Sequence, residues 1–430
     1  MAAVPSCFGL KNGGKVKYLS SHCVSFAFLL LMPMLFRKFN ADSLFTGTTL
    51  LDHNQVLVTD TNGIVQDIIP IADAGEDVMK LEGVLSPGFI NCHCHLELSH
   101  MKGLIPEKTG LVDFVFKVVS QRHFPDEEIF AAVETAETGM LKNGIVAVGD
   151  ICNNTLSLPQ KIKQRLFYHN FIEASGWLPA VADTRFKRAL QYYHEFKNAQ
   201  ILPGAKSTIV PHASYSVSNE LWQAITPYFT GKVASIHNQE TLHEDEFFQQ
   251  GTGDFLRMYT MMKLDNSFHQ PTGKSSLQSY LHRLSAAASL LLVHNSYTSD
   301  ADIVFAMTHA RDIDQALYWC ICINANKYIE DCVPAVDKLR KRNARIVLGT
   351  DSLASNYSLN LLDEMKTVQE HFPQIELAEM LQWATLNGSE ALQMDDQLGS
   401  FETGKQPGIV HIANLQAGKI FSGTTVHRIL

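Results

Sequence analysis

The sequence predicts an α/β protein: a (β/α)8 barrel of the TIM type with a small β-sandwich domain built from the N- and C-terminal segments. Three observations predict it. Eight apolar, strand-like runs recur at spacings of roughly 25 to 60 residues. Helix-like stretches such as DEEIFAAVETAETGMLKNG, rich in alanine and periodic apolar residues, separate them. Polar residues able to do chemistry close the runs, and barrel active sites assemble at the C-terminal face of the strands. A doubly wound open sheet is the competing arrangement, but no Gly-rich phosphate loop follows the first run.

The elements follow in chain order. CVSFAFLLLMPMLF, residues 23–36, is a 14-residue apolar run with Lys11, Lys15 and Lys17 upstream. It is short of the roughly 20 residues that a spanning helix needs. No A-x-A cleavage pattern follows, and Arg37 and Lys38 come directly after it. Residues 1–33 therefore read as a leader or an over-extended start. ADSLFTGTTLL, QVLVTD and IVQDIIPIA, with TNG between the last two, form a small antiparallel β unit. GSFETGKQPGIVHIANLQAGKIFSG near the end returns to short strands, so residues 34–84 plus 398–430 are expected to make the small domain and 85–397 the barrel.

The eight runs are GFINCHCH (88–95), IVAVGDIC (145–152), RLFYHNFIEAS (165–175), STIVPHASYS (207–216), KVASIHNQE (232–240), SLLLVHNS (289–296), ALYWCICINAN (316–326) and RIVLGTDS (345–352). Asp150, Glu173, His212, His237, Glu240, His294, Asn326 and Asp351 are expected at strand ends, with His93 and His95. In the first run side chains alternate faces, so His93 and His95 point one way and Cys92 and Cys94 the other. Imidazole and carboxylate ligands arriving from several strand ends suit zinc or iron(II), and His93, His95, His237 and Asp351 would surround one ion. Glu240, three residues beyond His237, can take a proton from metal-bound water and hand it to a leaving group, since zinc lowers the water pKa to roughly 7. A carboxylate offsetting a helix dipole is the alternative there. His294 could orient or deprotonate the attacking water, or be a buried hydrogen-bonded histidine. His212 either touches substrate or stiffens the barrel mouth.

Taken together, PGFINCHCH, HNQE, LVH and GTDS resemble the motifs of the amidohydrolase superfamily over about residues 36–430. No lysine occupies a strand end where a carbamate could bridge two metals, and the HxxE element is present. Both features resemble the mononuclear deaminase and chlorohydrolase branch, which includes guanine, adenosine-analogue and aminofutalosine deaminases. The resemblance implies a metal on His93, His95, His237 and Asp351, a proton shuttle at Glu240, water orientation by His294 and Asp351 at the reacting centre, and substrate contact by His212. GTDSLASN and INAN add Ser352 and Asn326 as lesser substrate contacts. Ile323 stands where the branch often has proline, so the loop after the seventh strand is expected to differ.

LELSHMKGLIPEKTGLVDF should lid the site. Within it, Glu97 either accepts hydrogen bonds from an amino or ring N–H group or makes a loop salt bridge. Trp177, Tyr215 and Phe171 could stack on a flat ring or simply be core. The expected activity is hydrolytic deamination of an amino-substituted heterocycle, purine-, nucleoside- or pterin-like, with one zinc ion, iron(II) being the alternative. Amide or C–Cl hydrolysis would need nearly the same site, and a non-catalytic barrel would be expected to have lost ligands. The chain is 46% apolar and 18% charged with a formal charge of -9, ordinary globular composition without the basic stripe of a nucleic-acid binder. The H-x-E and P-C-x-x-C signature of nucleic-acid-editing deaminases is absent. Eight cysteines without a regular framework read as reduced thiols. These features point to a cytoplasmic enzyme with a small-molecule partner, no membrane or nucleic acid, and room for a homodimer.

Overall fold

The computed structural model describes residues 36–199, 201 and 206–430. The expected leader, residues 1–33, lies outside the described residues. Eight parallel strands carry the architecture: β1 (Phe89–Cys94), β2 (Ile145–Cys152), β3 (Phe167–Ala174), β4 (Lys206–Pro211), β5 (Val233–Asn238), β6 (Ser289–His294), β7 (Ala316–Ile321) and β8 (Ile346–Leu348). They form two four-stranded sheets, in order β1-β2-β3-β4 and β5-β6-β7-β8. Isolated parallel bridges join Ala213 to His237 and Cys94 to Asp351. The His237 N–H donates to the His212 carbonyl at 3.0 Å, and the N–H groups of Thr350 and Asp351 donate to the His93 carbonyl at 3.0 and 3.1 Å. Both sheets are buried on two faces, which explains why their strands read as continuous apolar runs.

The strands stop where chemistry begins, and often sooner than the apolar runs suggest. Gln239, His294, Asn295 and Asp351 have φ of +43°, +77°, +60° and +56°, which breaks the extended backbone at the mouth. Non-glycine residues held there store about 1–3 kcal/mol each. The fourth run ends as a strand at Pro211, and Ser214–Ser216 turn into a 3-10 helix. The expectation that Asn326 ends the seventh strand is corrected: β7 stops at Ile321, and Asn326 lies in helix Ile323–Glu330. Its N–H already bonds the Cys322 carbonyl at 3.0 Å, so the helix starts inside the apolar run. Gly349 has no room for a side chain, since an added Cβ would lie 2.8 Å from the Cβ of His93 and 2.9 Å from the sulfurs of Cys320 and Cys322.

The N- and C-terminal segments share one seven-stranded sheet. Its order is Thr425–Arg428, Ile409–Ala413, Met79–Pro87, Arg37–Phe45, Gln55–Thr59, Val65–Pro70, with Leu50–Asp52 added to Arg37–Phe45. Leu57 packs with Phe39 and Leu85 in one apolar cluster, while Val56 and Val58 pack with Ala74 in another, as alternation along a strand requires. Cys92, Cys94, Cys152, Cys320 and Cys322 are buried free thiols. Cys92 lies against helix Leu386–Ala391, 3.8 Å from the Gly388 carbonyl, on the far side of β1 from the histidines. Among the described residues, no helix is long and apolar enough to cross a membrane.

Candidate active site

Nitrogen atoms of His93, His95 and His237 lie within 4.8 Å of one another, all three side chains buried. Asp351 Oδ1 sits 3.3 Å from His95 Nε2 and 3.5 Å from His93 Nε2. Hydrogen-bond partners assign the tautomer of His237: Nδ1 is 2.8 Å from the His212 carbonyl and must donate, leaving a lone pair on Nε2. That Nε2 is 3.3 Å from His95 Nε2. Burial pushes His95 down to about 3 and His237 well below the usual histidine range, so both rings are neutral near pH 7. Both ring nitrogens of His93 and Nδ1 of His95 are buried without a hydrogen-bond partner. An orphaned buried polar atom costs about 1–3 kcal/mol. Convergent lone pairs, a carboxylate and orphaned nitrogens fit a divalent transition-metal cation. Ser355 Oγ donates to the other oxygen of Asp351 and so fixes its orientation.

Beside this cluster stand two groups suited to moving protons. Glu240 is 4% exposed. Burial pushes its carboxyl well above the usual range, and the nearby Asp351, Glu244 and Glu330 add to the rise. Its Oε2 is 3.5 Å from His294 Nε2. His294 Nδ1 donates to Asn326 Oδ1 at 3.1 Å, and burial holds the ring down at about 4. A carboxylate whose affinity for a proton burial raises thus faces a neutral imidazole nitrogen.

These groups close the inner end of a cavity of about 300 Å³. His212 and Ser352 line it, as do Trp177 and Tyr215. His212 is anchored by Ser216 Oγ at 2.8 Å from Nδ1, and Trp177 stacks on Tyr259 with centroids 5.4 Å apart. Helix Leu111–Gln121 supplies Leu111, Phe114, Val115 and Val118 to the wall, in keeping with a lid after β1. Glu97, Asn326 and Phe171 are not among the lining residues. Glu97 Oε2 accepts the N–H groups of Asn153 and Asn154 at 3.0 and 3.2 Å. Asn326 stands behind His294, and Phe171 stacks on His169 in the core.

Three acids have roles that sequence reasoning missed. Glu173 lines the cavity, its Oε2 held by Asn153 Nδ2 at 3.0 Å and its Oε1 without a hydrogen-bond partner, 3.4 Å from His237 Nδ1. Its signal was an acid ending an apolar strand. Glu244, four residues after Glu240, accepts the Glu240 N–H at 2.8 Å and Ser276 Oγ at 2.9 Å. Glu364 accepts the Asn324 N–H at 3.1 Å and Asn356 Nδ2 at 2.8 Å, and the same Asn356 nitrogen bonds the Thr350 carbonyl. It thereby braces the turn that presents Asp351.

Burial pushes Glu364 from 4.5 up to about 8. The folded protein therefore holds one more proton than the unfolded chain between those values, and its stability falls as pH rises through that window. Glu364→Gln, which mimics the protonated carboxyl, is expected to flatten the fall in urea midpoint between about pH 5.5 and about pH 8.5. An equal fall in both proteins would assign the effect to another group.

The sequence matches the amidohydrolase family over residues 84–426. The aminodeoxyfutalosine deaminase of Nitratiruptor sp. is 25% identical over 333 residues, covering 75% of this chain and 77% of that protein. The 5-methylthioadenosine/S-adenosylhomocysteine deaminase of Thermodesulfovibrio yellowstonii is 25% identical over 350 residues, 76% of this chain and 71% of that protein. The crystal structure of Helicobacter pylori aminofutalosine deaminase in complex with methylthio-coformycin aligns with a TM-score of 0.74 at 22% identity, covering 89% of this chain and 93% of that one.

Proposed function

This chain belongs to the amidohydrolase family, and from that premise we propose that it is a metal-dependent hydrolytic deaminase of an amino-substituted, purine-nucleoside-like heterocycle. The observation that carries the reading is the meeting of His93, His95, His237 and Asp351 with Glu240 and His294 at the closed end of one cavity. The names of its relatives, deaminases of adenosine analogues, support the leaving group and the ring. The four ligand side chains would hold one ion, zinc by their His₃Asp donor set, with iron(II) as the alternative. A divalent ion so held supplies Lewis acidity that makes water a nucleophile near neutral pH.

The chain's own residues do the rest. Glu240 takes the proton of the attacking water and passes it to the departing amino group. His294, fixed by Asn326, accepts from the attacking water at its free Nε2 and so orients it. His212 and Ser352 contact the ring from the cavity wall. The same reading takes the two parallel sheets as halves of one closed (β/α)8 barrel over residues 85–397. The bridges from Ala213 to His237 and from Cys94 to Asp351 support closure. Residues 34–84 and 398–430 make the small β domain, supported by the sheet that they share.

Ammonia release from zinc-loaded protein tests the proposal. The panel holds aminopurines, their nucleosides and 5′-thionucleosides, aminofutalosine, pterins and pyrimidines. Release from one ring class is the expected result. Silence across the panel with metal bound would overturn deamination in favour of amide or C–Cl hydrolysis.

A further inference from the structure

A second cavity, of about 390 Å³, lies at the other end of the strands. His169 near the start of β3 lines it, as do Lys206 at the start of β4 and Lys232 directly before β5. Tyr193 and Lys197, near the end of helix Ala182–Asn198, complete the wall. His212 follows the far end of β4, and His237 lies at the far end of β5. The two cavities share no lining residue.

Three lysines line this pocket and no carboxylate does. The ammonium nitrogens of Lys197 and Lys232 are 5.8 and 5.7 Å from the centroid of the Tyr193 ring. Lys206 Nζ donates to the Gln393 carbonyl, and Lys232 Nζ to the Tyr228 carbonyl at 3.2 Å. An aromatic face and backbone carbonyls thus hold the cations in place without neutralising them. Residues 1–35 and 199–205 contain no aspartate or glutamate, so every acidic side chain of the protein is among the described residues. Among those residues, none forms an ion pair with these three lysines. Glu195, the acid nearest to Lys197 in sequence, is held by Gln191 Nε2 at 2.9 Å. A lysine in the last turn of a helix complements the helix dipole, but that accounts for Lys197 alone. The field also reaches inward: burial pushes the His169 imidazole down to about 3, and the like charges of Lys206 and Lys232 add to the fall.

We propose that this pocket binds the phosphate group of a small molecule, at a site separate from the one that handles the ring. Positive charge gathered in a concave, low-dielectric wall attracts an anion. Ammonium groups are compact point charges with three donors each, suited to an anion whose charge is spread over several oxygens. A phosphate monoester carries about −1.5 to −2 charges near pH 7 and three acceptor oxygens, which three lysines can share. A carboxylate would leave about two of the three positive charges uncompensated. Ser207 lines the pocket, and its Oγ accepts from Asn170 Nδ2 at 3.4 Å, which leaves its own O–H to donate.

The test uses zinc-loaded protein freed of excess zinc, with inorganic phosphate and glycerol 3-phosphate as probes. Calorimetry at low salt is expected to show one saturable site with a Kd of about 1 mM or tighter. Added chloride at about 0.5 M should weaken it several-fold. Tighter binding of the ester names an organic phosphate as the ligand, and equal binding names free phosphate; either result carries the shared chemistry. In Lys197→Gln/Lys232→Gln the affinity should fall at least about tenfold, with the urea midpoint kept as the control for folding. Lys197→Arg/Lys232→Arg, which keeps both charges, should stay within about threefold of the unmodified protein. Phosphate can also coordinate a metal ion, so chelated protein should bind both probes as the zinc-loaded protein does. Absence of saturable binding by the unmodified protein overturns the proposal without recourse to any variant. So does binding that survives in the glutamine variant, or binding that disappears on chelation. Ammonia release plays no part in these readouts, so failure of the deaminase reading would leave the phosphate site standing.

Discussion

Glu240→Gln is expected to lower ammonia release by about 10³-fold or more while metal content and fold are kept. Proton transfer by a positioned side chain is worth about 10²–10⁴-fold, and the proposed role uses Glu240 twice, first as base and then as acid. Glutamine fills the same space and lacks the charge that burial disfavours on this carboxyl. Its backbone N–H can still bond Glu244. What it cannot do is carry a proton. The thermal midpoint should therefore hold or rise, since a buried group that resists ionisation is replaced by one that never ionises. Turnover is measured on whichever ring the panel identifies, with metal determined on the same sample. A variant retaining more than about a tenth of the activity would remove Glu240 from the proton path.

The second large effect concerns the ion. Chelation is expected to abolish turnover and lower the thermal midpoint, with both restored by zinc. Without a cation, three imidazoles and a carboxylate share one buried space, with His95 and His237 nitrogens 3.3 Å apart and three ring nitrogens unsatisfied. A ligand present at about 1,000 times its Kd stabilises by about 4.1 kcal/mol. For a chain of this size that corresponds to a shift of about 4.5 °C. His95→Ala should remove both the metal and the zinc-dependent recovery. Full recovery of that variant by zinc would place the ion elsewhere.

Much of this was readable from residue order, for identifiable reasons. IVAVGDIC begins and ends where β2 does, because a strand buried on both faces is apolar throughout and its neighbours are not. His93 and His95 were paired by strand parity, and Asp351 by an apolar run that ends in a carboxylate. Less was readable where the backbone turns. β8 is three residues long, because Gly349 and the left-handed Asp351 end it early, and no side-chain pattern announces a positive φ at an aspartate. Asn326 was placed on a strand because CICINAN is apolar enough for either element; a helix starting at Ile323 looks the same at that length. Glu244 and Glu364 act through contacts between segments distant in sequence or through a backbone N–H, Ser355 acts within a tight turn, and periodicity carries no trace of any of these.

The sheet shared by the two chain ends has a consequence during synthesis. Strand Met79–Pro87 takes its partner Arg37–Phe45 at once, but residues Val84–Pro87 also pair with Ile409–Ile412. At about 5–20 residues per second, the ribosome reaches that second partner some 16–65 s later. Until then an edge of unpaired amides stands directly before β1, beside the segment that carries His93. Completion of that sheet is thus withheld until Ile409–Ile412 are made. A nascent chain stalled anywhere in between exposes the edge from which strand-to-strand association starts.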